Sequence, residues 1–403
     1  MKKYFLLSIC LLLAVSVFSQ NLNIYNVPSN IRKPGVYIDY NLTLANQGLV
    51  QNPQIVLLIG MKSDDGVGTI GTLYEIFDSY AGSSVFGSTS NVASMINSAI
   101  VANPYVSIFA MAFDSSTSAY AISTTMVLST TRFQTVLDNI FPSRFNFIVT
   151  AVNSTDFLLL LKTHIETAGN AIEQRGQVAV FAFTTSASFN STNTMTLATT
   201  AAAALNSGRM LSVCYPNPNA HHYNVAAAVA SVLASTSDPA LPFNGVQLTG
   251  ITVAPVASRL SRTQQESLMT KGCTPIEVGQ GSASQIVRTI TTFMTQSGAP
   301  SIALLDVNVI LILDYTRLAI RTRLLQQFPR QKFTDRAISQ IRSAIISVLK
   351  NEEQLEILQD INANIPGLIL ERNIQDNTRL DIAIPAPIVP GLYIIAAELR
   401  LLL

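Results

Sequence analysis

Side chains able to act as bases, nucleophiles or metal ligands are few in this chain, and their spacing does not suit that work. There are three histidines, His164, His221 and His222. A general base needs a neighbour that orients it, and a zinc site needs three or four ligands at short, regular spacing. His221 and His222 are adjacent, which points their rings apart in a helix or a strand, and no acidic residue lies near them in sequence. A polar loop after Pro216 and Pro218 is the expected setting. Cys10, Cys214 and Cys273 offer no ligand spacing and no disulfide framework, and they read as small buried thiols. Asp64-Asp65 precedes a glycine and reads as a turn. Gly66-Val67-Gly68 and Gly279-Gln280-Gly281 lack the third glycine and the strand-to-helix setting of a dinucleotide fingerprint, and no nucleophile elbow, phosphate loop or zinc-protease helix is present. The expectation is a chain without catalytic residues, metal or cofactor.

Composition points the same way. The chain has 403 residues, 48% of them apolar and only 12% charged, with a net charge of +1. That balance gives no basic footprint for nucleic acid, and without tryptophan there are few platforms for stacking bases. The charges are also unevenly placed: residues 181–250 hold only Arg209 and Asp238, whereas residues 301–403 hold 22 of the 49. So little charge leaves a surface poorly protected against self-association. It suits faces buried in an assembly, or an Ala/Ser/Thr-rich monomer. At the N-terminus, Lys2 and Lys3 precede an apolar run from Tyr4 to Val17, and small residues precede Gln20. Residues 1–19 therefore have the pattern of a secretory signal, too short for a membrane span.

The elements follow from periodicity. In the region 20–50, Pro28 and Pro34 forbid a continuous helix, and Val36, Ile38, Tyr40 and Leu42 alternate with Tyr37, Asp39 and Asn41. That is a strand with one greasy face and no sheet of its own. Over residues 51–296, apolar runs predict buried strands at 55–59, 106–112, 147–152, 178–183, 210–213 and 246–253. Helical patterns fall between them at 92–101, 156–172, 195–205 and 225–233, and residues 184–194 read as a loop. Strands alternating with helices imply a mostly parallel sheet covered on both faces. Residues 297–403 open at Ser297-Gly298-Ala299-Pro300. A helix follows to Gln327, with Leu305, Val309, Ile312, Thr316, Ile320, Leu324 and Phe328 on one core face, and Asp314, Arg317 and Arg321 at pairing distance on another. A second helix is expected from Arg336 to about Ile361, then a hairpin of 368–372 and 379–384. Tyr393, Ile395, Ala397, Leu399, Leu401 and Leu403 then form the apolar face of a half-buried strand, opposite Glu398 and Arg400.

A set of short segments, in order, covers residues 21–403: Asn26-Val27-Pro28 with Lys33-Pro34-Gly35; Val56-Leu57-Leu58-Ile59-Gly60; Phe86-Gly87; Asn103-Pro104; Gly298-Ala299-Pro300. It continues with Leu305-Asp306-Val307-Asn308, Phe328-Pro329-Arg330-Gln331-Lys332, Glu371-Arg372-Asn373 and Arg379-Leu380-Asp381. In this order and spacing the chain resembles the tail sheath protein of contractile phages, in its Mu-like branch. The resemblance implies an α/β fold in which an outer, subtilisin-like but non-catalytic domain is inserted into an α+β inner domain built from both chain ends. It implies extended terminal arms that lend strands to neighbouring subunits. On this chain those arms would be Val36 to Leu42 and Tyr393 to Leu403, with Arg317, Arg321, Arg330 and Lys332 as candidates to face a tube or a neighbour. The implied partners are further copies of the chain, a tail tube protein, and baseplate and tail-terminator proteins, with no nucleic acid or small-molecule substrate. The implied place is a virion tail, assembled in the host cytoplasm. Export contradicts cytoplasmic assembly, so residues 1–19 read either as a mis-assigned start or as a working signal, and the latter leaves a second reading, an exported or surface protein with a binding role on a sheath-like fold.

Overall fold

A computed structural model describes residue 52 and residues 54–113, 129–185 and 191–401. The signal-like segment and the N-terminal arm with Val36, Ile38, Tyr40 and Leu42 lie outside the described residues.

The apolar runs become strands because their side chains can be buried on both faces of a sheet. In chain order the first part comprises β1 (Ile55–Gly60), β2 (Leu73–Ile76), α1 (Ser79–Phe86), α2 (Asn91–Ala102), β3 (Ser107–Ala112), α3 (Thr130–Ile140), β4 (Phe147–Thr150) and α4 (Thr155–Ala168). It continues with β5 (Val178–Thr184), α5 (Ser191–Leu205), β6 (Met210–Tyr215), α6 (His222–Leu233), α7 (Arg262–Thr270), β7 (Cys273–Val278) and β8 (Ser284–Ile286). Together the strands make one sheet in the order β2-β3-β1-β4-β5-β6-β7-β8. Every pair from β3 to β7 is parallel, and β2 and β8 close the two edges antiparallel. Helices cover both faces, as an all-apolar run such as Val56–Ile59 requires. On one face Val92, Met95 and Ile96 of α2 and Val225 and Val229 of α6 pack on Val56, Leu58 and Val180. On the other, Phe133 of α3, Leu161 of α4 and Ala202 of α5 pack on Leu57, Ile148 and Phe181.

The break at 297–300 is a tight hairpin between β9 (Thr295–Gln296) and β10 (Ala299–Pro300), with Ser297 and Gly298 both at positive φ. The chain then builds α8 (Val307–Gln327), α9 (Asp335–Gln354), the short α10 (Ile361–Asn364) and a hairpin of β11 (Ile369–Arg372) with β12 (Leu380–Ala383). Helix α9 starts where Thr334 accepts a hydrogen bond from the Ala337 N–H at 3.2 Å, with Asp335 in the first turn. Helix α8 buries two sides. Val307 and Ile310 enter the core under the sheet, while Ile312, Tyr315 and Ile320 join Ile345, Leu349, Leu358 and Ile361 in a second core.

Several expectations are corrected. Residues 246–253 form turns, with only Gln247 bridging to Gln285, because Gly245 just before the segment and Gly250 within it adopt left-handed conformations. The strand position beside β6 is filled instead by β7, whose Thr274, Pro275 and Glu277 hide its character in the sequence. Ser191–Thr194 open α5 and do not extend the loop. The helix expected to run to Ile361 stops at Gln354, and Glu356 and Asp360 take left-handed backbone at φ of 58° and 52° before α10. The run from Tyr393 is not among these corrections, since the strand expected there needs a second chain: it pairs with no described residue and, apart from Tyr393, is exposed.

Candidate functional site

The chemistry-bearing residues sit apart from one another. His164 is buried on α4 against the Phe141 ring, its Nε2 has no partner, and burial lowers its pKa to about 4. His222 opens helix α6 where a loop was expected. Its Nε2 lies 2.9 Å from the Ala151 carbonyl, and burial lowers its pKa. His221 stacks on Tyr223 with ring centres 5.1 Å apart. Cys214 and Cys273 are free and buried on the adjacent strands β6 and β7; burial raises the first thiol well above its ordinary value and the second to about 12. Asp65 accepts from the Ser63 hydroxyl and from the Ser88 N–H and hydroxyl, the first contributing most to a pKa lowered to about 2. It pins the turn around Gly66. Gly279 and Gly281 serve the β7–β8 turn. Among the described residues no group of three or more His, Cys, Asp or Glu is placed to hold a metal ion.

One cleft lies where open parallel sheets often hold ligands, beyond the carboxyl ends of β4 and β5. It measures about 640 Å³ and is lined by groups such as Asn153, Ser154, Thr184, Thr200 and His221, with no acidic or basic side chain other than the two histidines. Sequence reasoning did not find it, because its hydroxyls come from three separate segments.

The strongest polar constellation lies instead where α8 meets the amino-terminal ends of the strands. Asp314 of α8 accepts both guanidinium nitrogens of Arg209 at 2.6 and 2.8 Å, and Arg317 at 2.8 Å. Arg317 also donates to the Gly169 carbonyl at 2.9 Å. Gly176 lies against the Asp314 carboxylate so closely that a Cβ there would collide with it. Arg144 donates to the Gln174 carbonyl at 3.0 Å, and Arg175 pairs with Glu173 and lies over the Phe141 ring at 4.6 Å. Arg321 is exposed and has no hydrogen bond or ion pair among the described residues. Five arginines therefore meet two carboxylates. The predicted spacing of Asp314 and Arg317 appears as a real pair; the contribution of Arg209, distant by 105 residues, carried no local signal. Arg330 and Lys332 are exposed in the α8–α9 turn.

Near its C-terminus the chain is tied down by bonds between Gln359 N–H and the Pro387 carbonyl at 2.9 Å and between Val389 N–H and the Ile357 carbonyl at 3.1 Å. The final anchor is Tyr393, whose ring lies under the Arg288 guanidinium at 4.1 Å, itself held by Asp306. Beyond it Ile395, Ala397, Leu399 and Leu401 are exposed, Leu399 at 99%, as are Leu392 and Ile394.

Comparison with known proteins adds the rest. The family model for the phage tail sheath protein central domain matches residues 127–292, and that for the phage tail sheath C-terminal domain matches residues 300–401. No curated protein sequence matches. Among solved structures, the chain is similar to the sheath tail protein of Desulfitobacterium hafniense, at 11% identity, with a TM-score of 0.57 over 84% of this chain and 93% of that one. It is similar to the helical sheath of the anti-feeding prophage in its contracted state, at 13% identity and TM-score 0.60, over 93% and 99% of the two chains. It is also similar to the contracted PVC sheath of an extracellular contractile injection system, at 14% identity and TM-score 0.58, over 93% and 98%.

Proposed function

From a chain that carries the central and C-terminal domains of phage tail sheath proteins, we propose a subunit of a contractile sheath that polymerises around a tail tube and shortens to drive it through an envelope. Its partners are other copies, the tube protein, and the baseplate and terminator proteins of the same particle. The segment order supports the Mu-like branch, with the sheet domain as an insertion in an inner domain built from both chain ends.

The observation that carries assembly is the apolar run after Tyr393. Leu392, Ile394, Ile395, Leu399 and Leu401 are each at least 69% exposed. A backbone with no ladder partner among the described residues, bearing that many apolar side chains, gains both hydrogen bonds and burial when it joins another copy's sheet edge. We assign Tyr393 to Leu403, together with Val36 to Leu42, as donor arms, and Arg317, Arg321, Arg330 and Lys332 as groups facing the tube or a neighbour.

The test is electron microscopy of the purified full chain beside a variant lacking residues 393–403. The full chain should form tubes or rings, and the truncated one should remain monomeric while keeping the unfolding transition of its sheet domain. Polymers of equal length from both would refute the arm.

A further inference from the structure

The chain carries a net charge of +1, yet its arginine seam concentrates five guanidiniums against Asp314 and Glu173. Both carboxylates are already committed, to Arg209 with Arg317 and to Arg175. Arg144 and Arg321 are left with one carbonyl bond between them. Burial, followed by the nearby Arg321 and Arg317, lowers the Arg144 pKa, and Asp314 only partly opposes this.

The complementary charge is present on the same chain, in the turn after α9. Glu356 and Asp360 are exposed there, and their carboxylates have no hydrogen bond or ion pair among the described residues; Glu353 beside them accepts from the Ile361 N–H. Within one molecule the two patches form no bond among the described residues. At about 100° per residue, Asp314, Arg317 and Arg321 lie roughly 130° around α8 from Ile312, Thr316 and Ile320, the stripe against which α9 packs. One patch faces the sheet domain and the other lies beyond α9.

We propose that the Arg144–Arg317–Arg321 seam of one copy receives the Glu353–Glu356–Asp360 turn of a second copy. This contact rests on the sheath reading above and names a partner for part of it. Because one patch meets a different patch, the contact is heterologous and propagates as a ring or helix, where a self-complementary patch would stop at a dimer. Arg144 and Arg317, already partly desolvated, and the exposed Arg321 gain charge-assisted bonds on docking.

Charge reversal tests it through the critical concentration for polymers, read by pelleting and microscopy of the full chain. Arg321→Glu alone, and Glu356→Arg alone, each set like charges opposite one another and should raise that concentration at least about tenfold, with unchanged circular dichroism. An equimolar mixture should recover polymers by alternating the two variants, as should the double variant R321E/E356R. Raising salt from about 0.05 to 0.5 M should weaken the unmodified polymer. If the unmodified chain never polymerises, the sheath reading fails and takes this contact with it. If it polymerises and the single reversals do so equally, or if the mixture recovers nothing, the contact alone is refuted.

Discussion

Replacing Glu352 by glutamine should remove most of the pH dependence of the α8–α9 unit. Glu352 is 2% exposed between the two helices. Its Oε2 accepts from the Thr316 hydroxyl at 2.7 Å, while Oε1 has no partner. Tyr315 is the titratable neighbour facing it from α8. Burial pushes the carboxyl up from 4.5 to about 7, and the Thr316 bond only partly opposes this. The folded-state value is raised, so the folded chain holds the proton more tightly than the unfolded one. Stability is therefore full below about pH 4.5, declines as pH rises to about 7, and is flat above that. At 1.4 kcal/mol per pH unit, the total loss is about 3 kcal/mol. Glutamine keeps the shape and can still accept from Thr316, but it cannot ionise. Urea unfolding at pH 4.5, 6 and 8 should give equal stabilities at the lowest value and a gap of about 2–3 kcal/mol in favour of the variant at the highest. Parallel pH profiles for the two proteins would show that the carboxyl is solvated in solution and that the burial argument is wrong.

What was legible in the sequence was whatever a continuous apolar run can encode. Ile55–Gly60, Val178–Thr184 and Met210–Tyr215 stood out because central parallel strands bury both faces, so nearly every position is apolar. Strand β7 stayed hidden because Thr274, Pro275 and Glu277 interrupt it: Thr274 bonds the Ile290 backbone, and Glu277 lies toward the sheet edge beside Gln285. Helix α7, with its Ser261–Gln264 capping box, fully buries only Leu268 and so carries little apolar periodicity. The end of α9 was misjudged because a left-handed Glu356 has no composition signal; glycine or asparagine would have announced it. For the seam, the i,i+3 spacing gave Asp314–Arg317, but Arg209 and Arg144 arrive through topology alone. The burial of Cys214 could be read from the apolar run that holds it. The cleft beyond β4 and β5 could not, since uncharged Ser and Thr occur throughout this chain.

Two further perturbations probe the same physics. Tyr215→Phe should cost about 1–3 kcal/mol in urea unfolding, because the buried hydroxyl accepts from the Ala254 N–H at 2.7 Å and contacts Ser284 Oγ at 2.7 Å and the Thr252 carbonyl at 3.0 Å. A cost near zero would mean that water replaces it. Asp314→Ala tests whether the seam is a structural clamp. The removed carboxylate holds Arg209, whose side chain is 12% exposed, and Arg317, at 30%. Losing one partner of a buried pair leaves uncompensated charge, which costs about 3–5 kcal/mol when fully buried; partial exposure here discounts that to about 2 kcal/mol. The internal control is Asp381→Ala, whose partners are Arg379, 64% exposed, and Asn373, and whose loss should be clearly the smaller of the two. Equal losses at the two sites would show that α8 is held to the sheet domain by its apolar face alone. The guanidiniums around Asp314 would then be free of any internal duty and available in full to another copy.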